Sequence, residues 1–224
     1  MRCQGKYERE ARSQGHHFIA GVDEVGRGSL FGPVFAAAVI LSPERPIRGL
    51  RDSKVLPPER REQLADRIRE RAVAHAVAAA DAYEIDRLNI LQASRLAMRR
   101  AIERLTPAAD FLLIDFVSVD LPLPQRSFPH GDALCQSIAA ASILAKVERD
   151  ACVRAWDMVF PQYGLAGHKG YYTPEHLQAL AEHGPTALHR FSFEPVRDSC
   201  RHLLWAGYPE QTELFPAKEM ATWS

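Results

Sequence analysis

Apolar and polar positions along this chain separate short strands from longer helices. Residues 18–25 and 34–41 read as two apolar strands, the second apolar enough to lie centrally in a sheet. Pro43 and Pro46 break the pattern, and residues 51–55 form a polar loop. Pro57 and Pro58 open a helix running to about Arg71, with Leu64 and Ile68 as its apolar stripe. Residues 72–80, rich in Ala and Val, predict a third strand. From 83 to 105 the residues Ile85, Leu88, Leu91, Leu96, Met98, Ile102 and Leu105 recur at helical spacing, and Thr106-Pro107 stops the helix.

Residues 111–114 form a short buried strand with Asp115 at its end. Pro122, Pro124 and Pro129 punctuate a loop over 116–129, with a strand near 126–128. A long helix follows from about 132 to 158, whose Ala139, Ala140, Ala141, Ile143, Leu144 and Val147 suit close packing on a sheet. Residues 161–173 are glycine-rich and irregular, and Thr173, Pro174 and Glu175 supply a cap, a proline at the first helical position and an acid in the first turn. Gly184-Pro185 closes that helix, and a last short helix ends near Trp205. Residues 1–17 predict a frayed polar tail and 206–224 a flexible one, leaving 18–160 as the main domain and 161–205 as its helical extension. Strands alternating with helices argue α/β with a mixed sheet.

Composition narrows the function classes. The 224 residues, 46% hydrophobic and 25% charged, suffice for one domain with a real core. Formal net charge is zero, so any nucleic-acid surface must be local. Cys3, Cys135, Cys152 and Cys200 follow no framework spacing, which points to reduced thiols in a cytoplasmic protein. The charged N-terminus lacks the apolar core of a signal peptide, and no apolar run approaches the roughly 20 residues that span a bilayer.

The chemistry concentrates after the first strand. Asp23 and Glu24 stand beside Gly26, Arg27 and Gly28. Buried carboxylates must be paired or hold a metal, glycines admit a ligand to the backbone, and arginine suits a phosphate. Gly26, Gly28 and Gly32 miss the dinucleotide-binding fingerprint by one residue, and a strand rather than a helix follows. Asp115 ends a second apolar strand, and Asp132 precedes the long helix. Taken singly, Asp115 is also an ordinary turn residue and Asp132 an ordinary helix cap. If the two strands are neighbours, their carboxylates meet at one sheet edge, where hard ions such as Mg²⁺ or Mn²⁺ find oxygen ligands. Adjacent strand residues face opposite ways, so Glu24 joins only if a bulge or bend brings it round. His168, His176, His183 and His189 have no zinc-site spacing.

The motifs in order resemble the bacterial ribonuclease HII family: Gly21-Val-Asp-Glu-Val-Gly-Arg-Gly28, Asp52-Ser-Lys54, Leu88-Asn-Ile-Leu91, Ile114-Asp115, Gly131-Asp132, the stretch from Ser137 to Asp150, His168-Lys-Gly-Tyr171 and His189-Arg-Phe-Ser192. The resemblance covers roughly residues 18–198. It implies a ribonuclease H-like mixed sheet flanked by helices, with a small helical C-terminal extension. It implies endonucleolytic cleavage of RNA in RNA–DNA hybrids and cutting 5′ of single ribonucleotides in duplex DNA, leaving 5′-phosphate and 3′-hydroxyl ends with Mn²⁺ or Mg²⁺. It assigns Asp23, Glu24, Asp115 and Asp132 to the metal, the loop of Gly26, Arg27 and Gly28 to the ribose 2′-hydroxyl, and Tyr171 to the sugar at the RNA–DNA junction. Lys54, Asn89 and Lys146 resemble positions that touch the nucleic-acid backbone or set the loop, although both lysines also read as solvated surface and Tyr171 as core packing. A DNA nuclease of the same fold, or a hybrid-binding module without activity, are the competing readings.

Four positions depart from the family pattern. Ser29 stands where proline is common, Val55 and His130 where lysines are common, and Phe116 where glycine is common. The lost lysines weaken the local positive field, and His130 brings a titratable group. In the tail, Gln211, Leu214 and Phe215 resemble the Q-x-x-L-F peptide that docks on the bacterial sliding clamp, although Leu214 and Phe215 also read as residues that fold back on the domain. We expect a monomer with no membrane association.

Overall fold

The computed structural model describes residues 5–200. In chain order its elements are α1 (Lys6–Ser13), β1 (Ile19–Val25), β2 (Val34–Ile40), α2 (Pro58–Arg71), β3 (Ala74–Ala80), α3 (Ala82–Leu88), α4 (Ile90–Glu103), β4 (Phe111–Asp115), β5 (Gln125–Phe128), α5 (Gly131–Leu134), α6 (Gln136–Val159), α7 (Leu165–His168), α8 (Pro174–His183) and α9 (Glu194–Cys200). All five expected strands form one sheet in the order β3-β2-β1-β4-β5. The pairs β1/β2 and β2/β3 are antiparallel, while β1/β4 and β4/β5 are parallel, so the expected mixed sheet is present.

Alternation along the strands supplies two apolar faces. Ala20, Val22, Ala36, Ala38, Leu112 and Ile114 pack with Ala93, Ala97 and Met98 of α4. On the other face Ala37 and Val39 pack with Ala139, Ala140 and Ile143 of α6 and with Leu64 and Ile68 of α2. Small residues let α6 lie directly on β1: a Cβ at Gly21 would stand 2.0 Å from the carbonyl carbon of Ser137. Among the described residues no helix is long and apolar enough to cross a membrane.

Three expectations are corrected. The frayed N-terminus is instead α1, whose buried Glu8 accepts hydrogen bonds from the backbone N–H and the hydroxyl of Ser137, both at 2.8 Å. This carboxylate caps α6 from another element, satisfying an orphan helix donor. The single helix over 83–105 is two, because Asn89 takes φ +68 and its side-chain oxygen accepts from Leu91 and Gln92 N–H. The long helix from 132 is also two: Cys135 is extended and separates α5 from α6. The expected tail after residue 205, with Gln211, Leu214 and Phe215, lies outside the described residues.

Candidate active site

Strand register brings the first two acids together. Val22 pairs with Ile114 across the parallel β1/β4 ladder, so Asp23 and Asp115 stand side by side one step further on. Both belong to the face covered by α6, the face of Gly21 and Leu113. Asp23 is 5% exposed and its Oδ1 accepts from Glu24 N–H at 2.7 Å, while Ser142 of α6, whose hydroxyl pairs with that of Ser53 at 2.9 Å, favours its charged form. Asp115 accepts from Gly131 N–H at 2.6 Å. Gly131 has no room for a side chain: a Cβ would lie 2.7 Å from Ile138 Cδ1 and 3.2 Å from Asp115 Oδ1.

Asp132 is buried in the first turn of α5 and caps neither helix, the cap positions being His130 and Cys135. It hydrogen-bonds Asp52, and Lys54 exerts its charge on both Asp132 and Asp115. Glu24 keeps its rung opposite Ala36, so of the two devices the sequence allowed, a bulge or a bend, no bulge turns it. It reaches the group instead from the strand end, where the charge of Asp115 acts on it and Arg27 donates to its Oε1 at 3.3 Å.

Burial pushes all four carboxyls up, Asp23 most clearly. Repulsion adds to the rise: Glu24 and Asp115 on Asp23, Asp115 on Glu24, and Asp52 on Asp132. Glu24 Oε2 is buried with no hydrogen-bond partner. Buried oxygen donors that repel one another, one of them orphaned, suit a hard divalent cation. Among the described residues no three His, Cys, Asp or Glu side chains are drawn in tightly enough to form a ready-made ion site.

The loop beside the acids is fixed from behind by two buried arginines that sequence reading did not single out. Arg190 donates to the carbonyls of Gly26, Arg27 and Gly32 at 2.8, 2.7 and 2.9 Å. Arg149 lies against Gly26, where a Cβ would be 2.3 Å from its Nε, and its guanidinium sits 4.9 Å from the Tyr171 ring centroid. Gly26 also has φ +93, so its glycine is required twice over. Gly28 differs: a Cβ there would meet nothing within 4 Å and its φ is not left-handed, so no internal contact demands a glycine.

Ser29, one of the departures, is buried and ties the loop to the Tyr171 segment, its hydroxyl donating to the carbonyl of Phe31 or of Gly170, each at 2.9 Å. Lys54 is exposed beside the acids. Lys146 pairs with Asp150 at 2.8 Å on α6. Asn89 commits its side-chain oxygen to the α4 cap, so any substrate contact falls to its amide nitrogen.

A family model described as Ribonuclease HII matches residues 20–196. Ribonuclease HII of Solibacter usitatus (strain Ellin6076) is 63% identical over 215 residues, covering 96% of this chain and 93% of its own length. The ribonuclease HII of Archaeoglobus fulgidus, solved as a PCNA:RNase HII complex, aligns with a TM-score of 0.68 at 26% identity over 81% of this chain and 96% of that one. Bst-RNase HIII, solved in complex with Mn²⁺, shares the fold alone, with a TM-score of 0.65 at 21% identity over 81% of this chain and 68% of that one. These matches span the sheet, the acids and the loop together, and the chain belongs to the ribonuclease HII family of endoribonucleases.

Proposed function

We propose that this endoribonuclease hydrolyses the RNA strand of RNA–DNA hybrids and nicks duplex DNA 5′ of single embedded ribonucleotides, using Mn²⁺ or Mg²⁺. The observation that carries the reading is the pairing of Asp23 and Asp115 on neighbouring strands beside a loop whose Gly28 no internal contact requires. Asp23, Glu24, Asp115 and Asp132 are the proposed ligand set, with Asp23 and Asp115 indispensable. Held by these four carboxylates, a divalent ion would lower the pKa of water and offset charge developing on the phosphate. Water oxygen attacks phosphorus, the bond to the 3′-oxygen breaks, and that oxygen takes a proton, leaving 3′-hydroxyl and 5′-phosphate ends.

The chain's own groups choose the bond. Backbone N–H and C=O groups of Gly26, Arg27 and Gly28 meet the 2′-hydroxyl, which both donates and accepts. The open side of Gly28 admits the sugar, and Arg190 keeps the loop carbonyls in place. Tyr171, backed by Arg149, packs on the sugar that follows and favours a deoxyribose there without forbidding a second 2′-hydroxyl. Lys54 and the amide of Asn89 steady the backbone; Lys146 acts through its pairing with Asp150. The protein works as a monomer in the cytoplasm, consistent with the free thiols of Cys135, Cys152 and Cys200. The Q-x-x-L-F resemblance of Gln211, Leu214 and Phe215, with the PCNA complex of the Archaeoglobus relative, supports docking of the tail on a sliding clamp.

A labelled duplex with one ribonucleotide, incubated with and without Mn²⁺ or Mg²⁺, tests the reading. A single metal-dependent nick 5′ of the ribonucleotide is expected, with the all-DNA duplex intact. Cutting of the all-DNA duplex would support the DNA-nuclease alternative, and binding without a nick the degenerate module.

A further inference from the structure

Phe116 follows Asp115 directly and adopts φ +63, a left-handed conformation that a bulky side chain rarely takes. Val117 N–H donates to the Asp115 carbonyl at 2.8 Å, closing a three-residue turn with Phe116 at its apex. With positive φ at the centre this is the rare, strained form of that turn. The turn returns Val117 to the core, where it packs with the α4 side of the sheet, while Phe116 points outward, 62% exposed. The ring therefore gains little burial that offsets the strain. Its recorded partner is Arg27, whose guanidinium lies 6.0 Å from the ring centroid and also bonds Glu24.

The ring thus stands at the rim between Asp115 and the 26–28 loop, an exposed aromatic face next to a cation. A strand whose phosphate reaches the acids must pass this rim. A flat base next to a phosphate matches a ring next to a guanidinium. We propose that Phe116 is a substrate-contacting residue on which one base of the cleaved strand stacks, and that its strained turn persists for that contact. The proposal rests on the ribonuclease reading above and adds a specificity element to that site.

Steady-state cleavage of the single-ribonucleotide duplex by Phe116→Gly, Phe116→Leu and Phe116→Trp, with thermal midpoints, tests it. Glycine relieves the strain, so the Phe116→Gly midpoint rises by about 3 °C. KM rises about tenfold in Phe116→Gly and Phe116→Leu, by more than kcat falls, and stays near wild type in Phe116→Trp. An abasic scan then identifies the partner: at one position near the ribonucleotide the wild-type KM climbs to the Phe116→Gly value, and Phe116→Gly is insensitive there. KM within twofold of wild type in both the Gly and Leu variants, or no such position in the scan, overturns the proposal. Because the wild type is assayed alongside, its failure to nick the ribonucleotide would instead indict the underlying reading.

Discussion

The acids around Asp23 and the histidines beneath Tyr171 are both clusters of buried titratable groups, and they resolve burial in opposite ways. His176 and His189 are fully buried, and every ring nitrogen has a partner. Thr186 N–H donates to His189 Nδ1, so His189 Nε2–H donates to His176 Nε2 at 3.2 Å, and His176 Nδ1–H donates to the Tyr171 carbonyl at 3.0 Å. The tautomers follow from that network. Both rings are neutral, no lone pair is left for zinc, and burial pushes their pKa values down to about 4 and about 3. The carboxylates are closed only in part: Glu24 N–H, Gly131 N–H and Arg27 reach them, but burial and mutual repulsion push them up and Glu24 Oε2 has no partner. One cluster is finished by the chain and supports Tyr171 from below; the other, in the function proposed above, is completed by a metal ion. Groups the fold leaves unsatisfied mark chemistry better than their residue type does.

The largest expected effect comes from removing one charge of the unfinished cluster. Asp23→Asn keeps the shape and an oxygen to accept from Glu24 N–H, and loses the charge. Cleavage of the single-ribonucleotide duplex should fall at least about a thousandfold. The metal-free midpoint should rise, since a buried repulsion is relieved; a gain of about 1 kcal/mol is worth roughly 2–4 °C in a domain of this size. An inactive but less stable variant would mean that Asp23 is structurally satisfied, and the contrast with the histidines would fail.

The second effect is smaller and runs through the metal. Mn²⁺ in hundredfold excess over its dissociation constant should stabilise the wild type by about 2.7 kcal/mol, read as a higher thermal midpoint reversed by EDTA. The sign of its pH dependence follows from the raised carboxyl pKa values. Protonated in the fold above their ordinary range, these groups favour the native state at low pH, and that contribution is lost as pH rises through the folded values. Mn²⁺ competes with those protons, so its stabilisation should grow with pH and be weaker in Asp23→Asn. A shift that is the same at mildly acidic and alkaline pH would place the ion elsewhere.

The two clusters also differ in how far the sequence shows them. Asp23 and Asp115 each end an apolar run, and that pattern alone suggests a shared sheet edge. Strands β1, β2 and β4 are readable for the same reason, since burial on both faces of the sheet leaves short continuous apolar runs. Glu24 is readable as a neighbour but not as a group reaching in from a regular strand end. Arg149 and Arg190 are not readable as part of the site. An arginine in a helix or loop pattern looks solvated, and the carbonyls that satisfy Arg190 belong to Gly26, Arg27 and Gly32, far away in the chain. The same holds for Glu8, whose burial depends on Ser137. The breaks at Asn89 and Cys135 are missed because apolar spacing continues across them while the backbone does not. Pattern reports which face is buried; it is silent on long-range polar closure.

The smallest effect tests the finished cluster. An unfolded histidine titrates near 6.5, whereas folded His176 and His189 resist protonation until about 4 and about 3. Between those values the unfolded chain takes up protons the native state refuses, so stability present above about pH 6.5 is lost as pH falls. His176→Gln keeps an N–H for the Tyr171 carbonyl and removes one of the two titrating rings. It should cost about 1 kcal/mol at neutral pH and make the fall in midpoint from pH 6.5 to 5 shallower than in the wild type. The raised carboxyl pKa values act on stability with the opposite sign, but equally in both proteins, so the difference between the two curves isolates the histidine. The Mn²⁺-induced rise should be the same in both, because the ring lies beneath Tyr171 and away from the acids. Parallel acid limbs would show that the network does not hold its protons off, and a lost Mn²⁺ response would show that the two clusters are one.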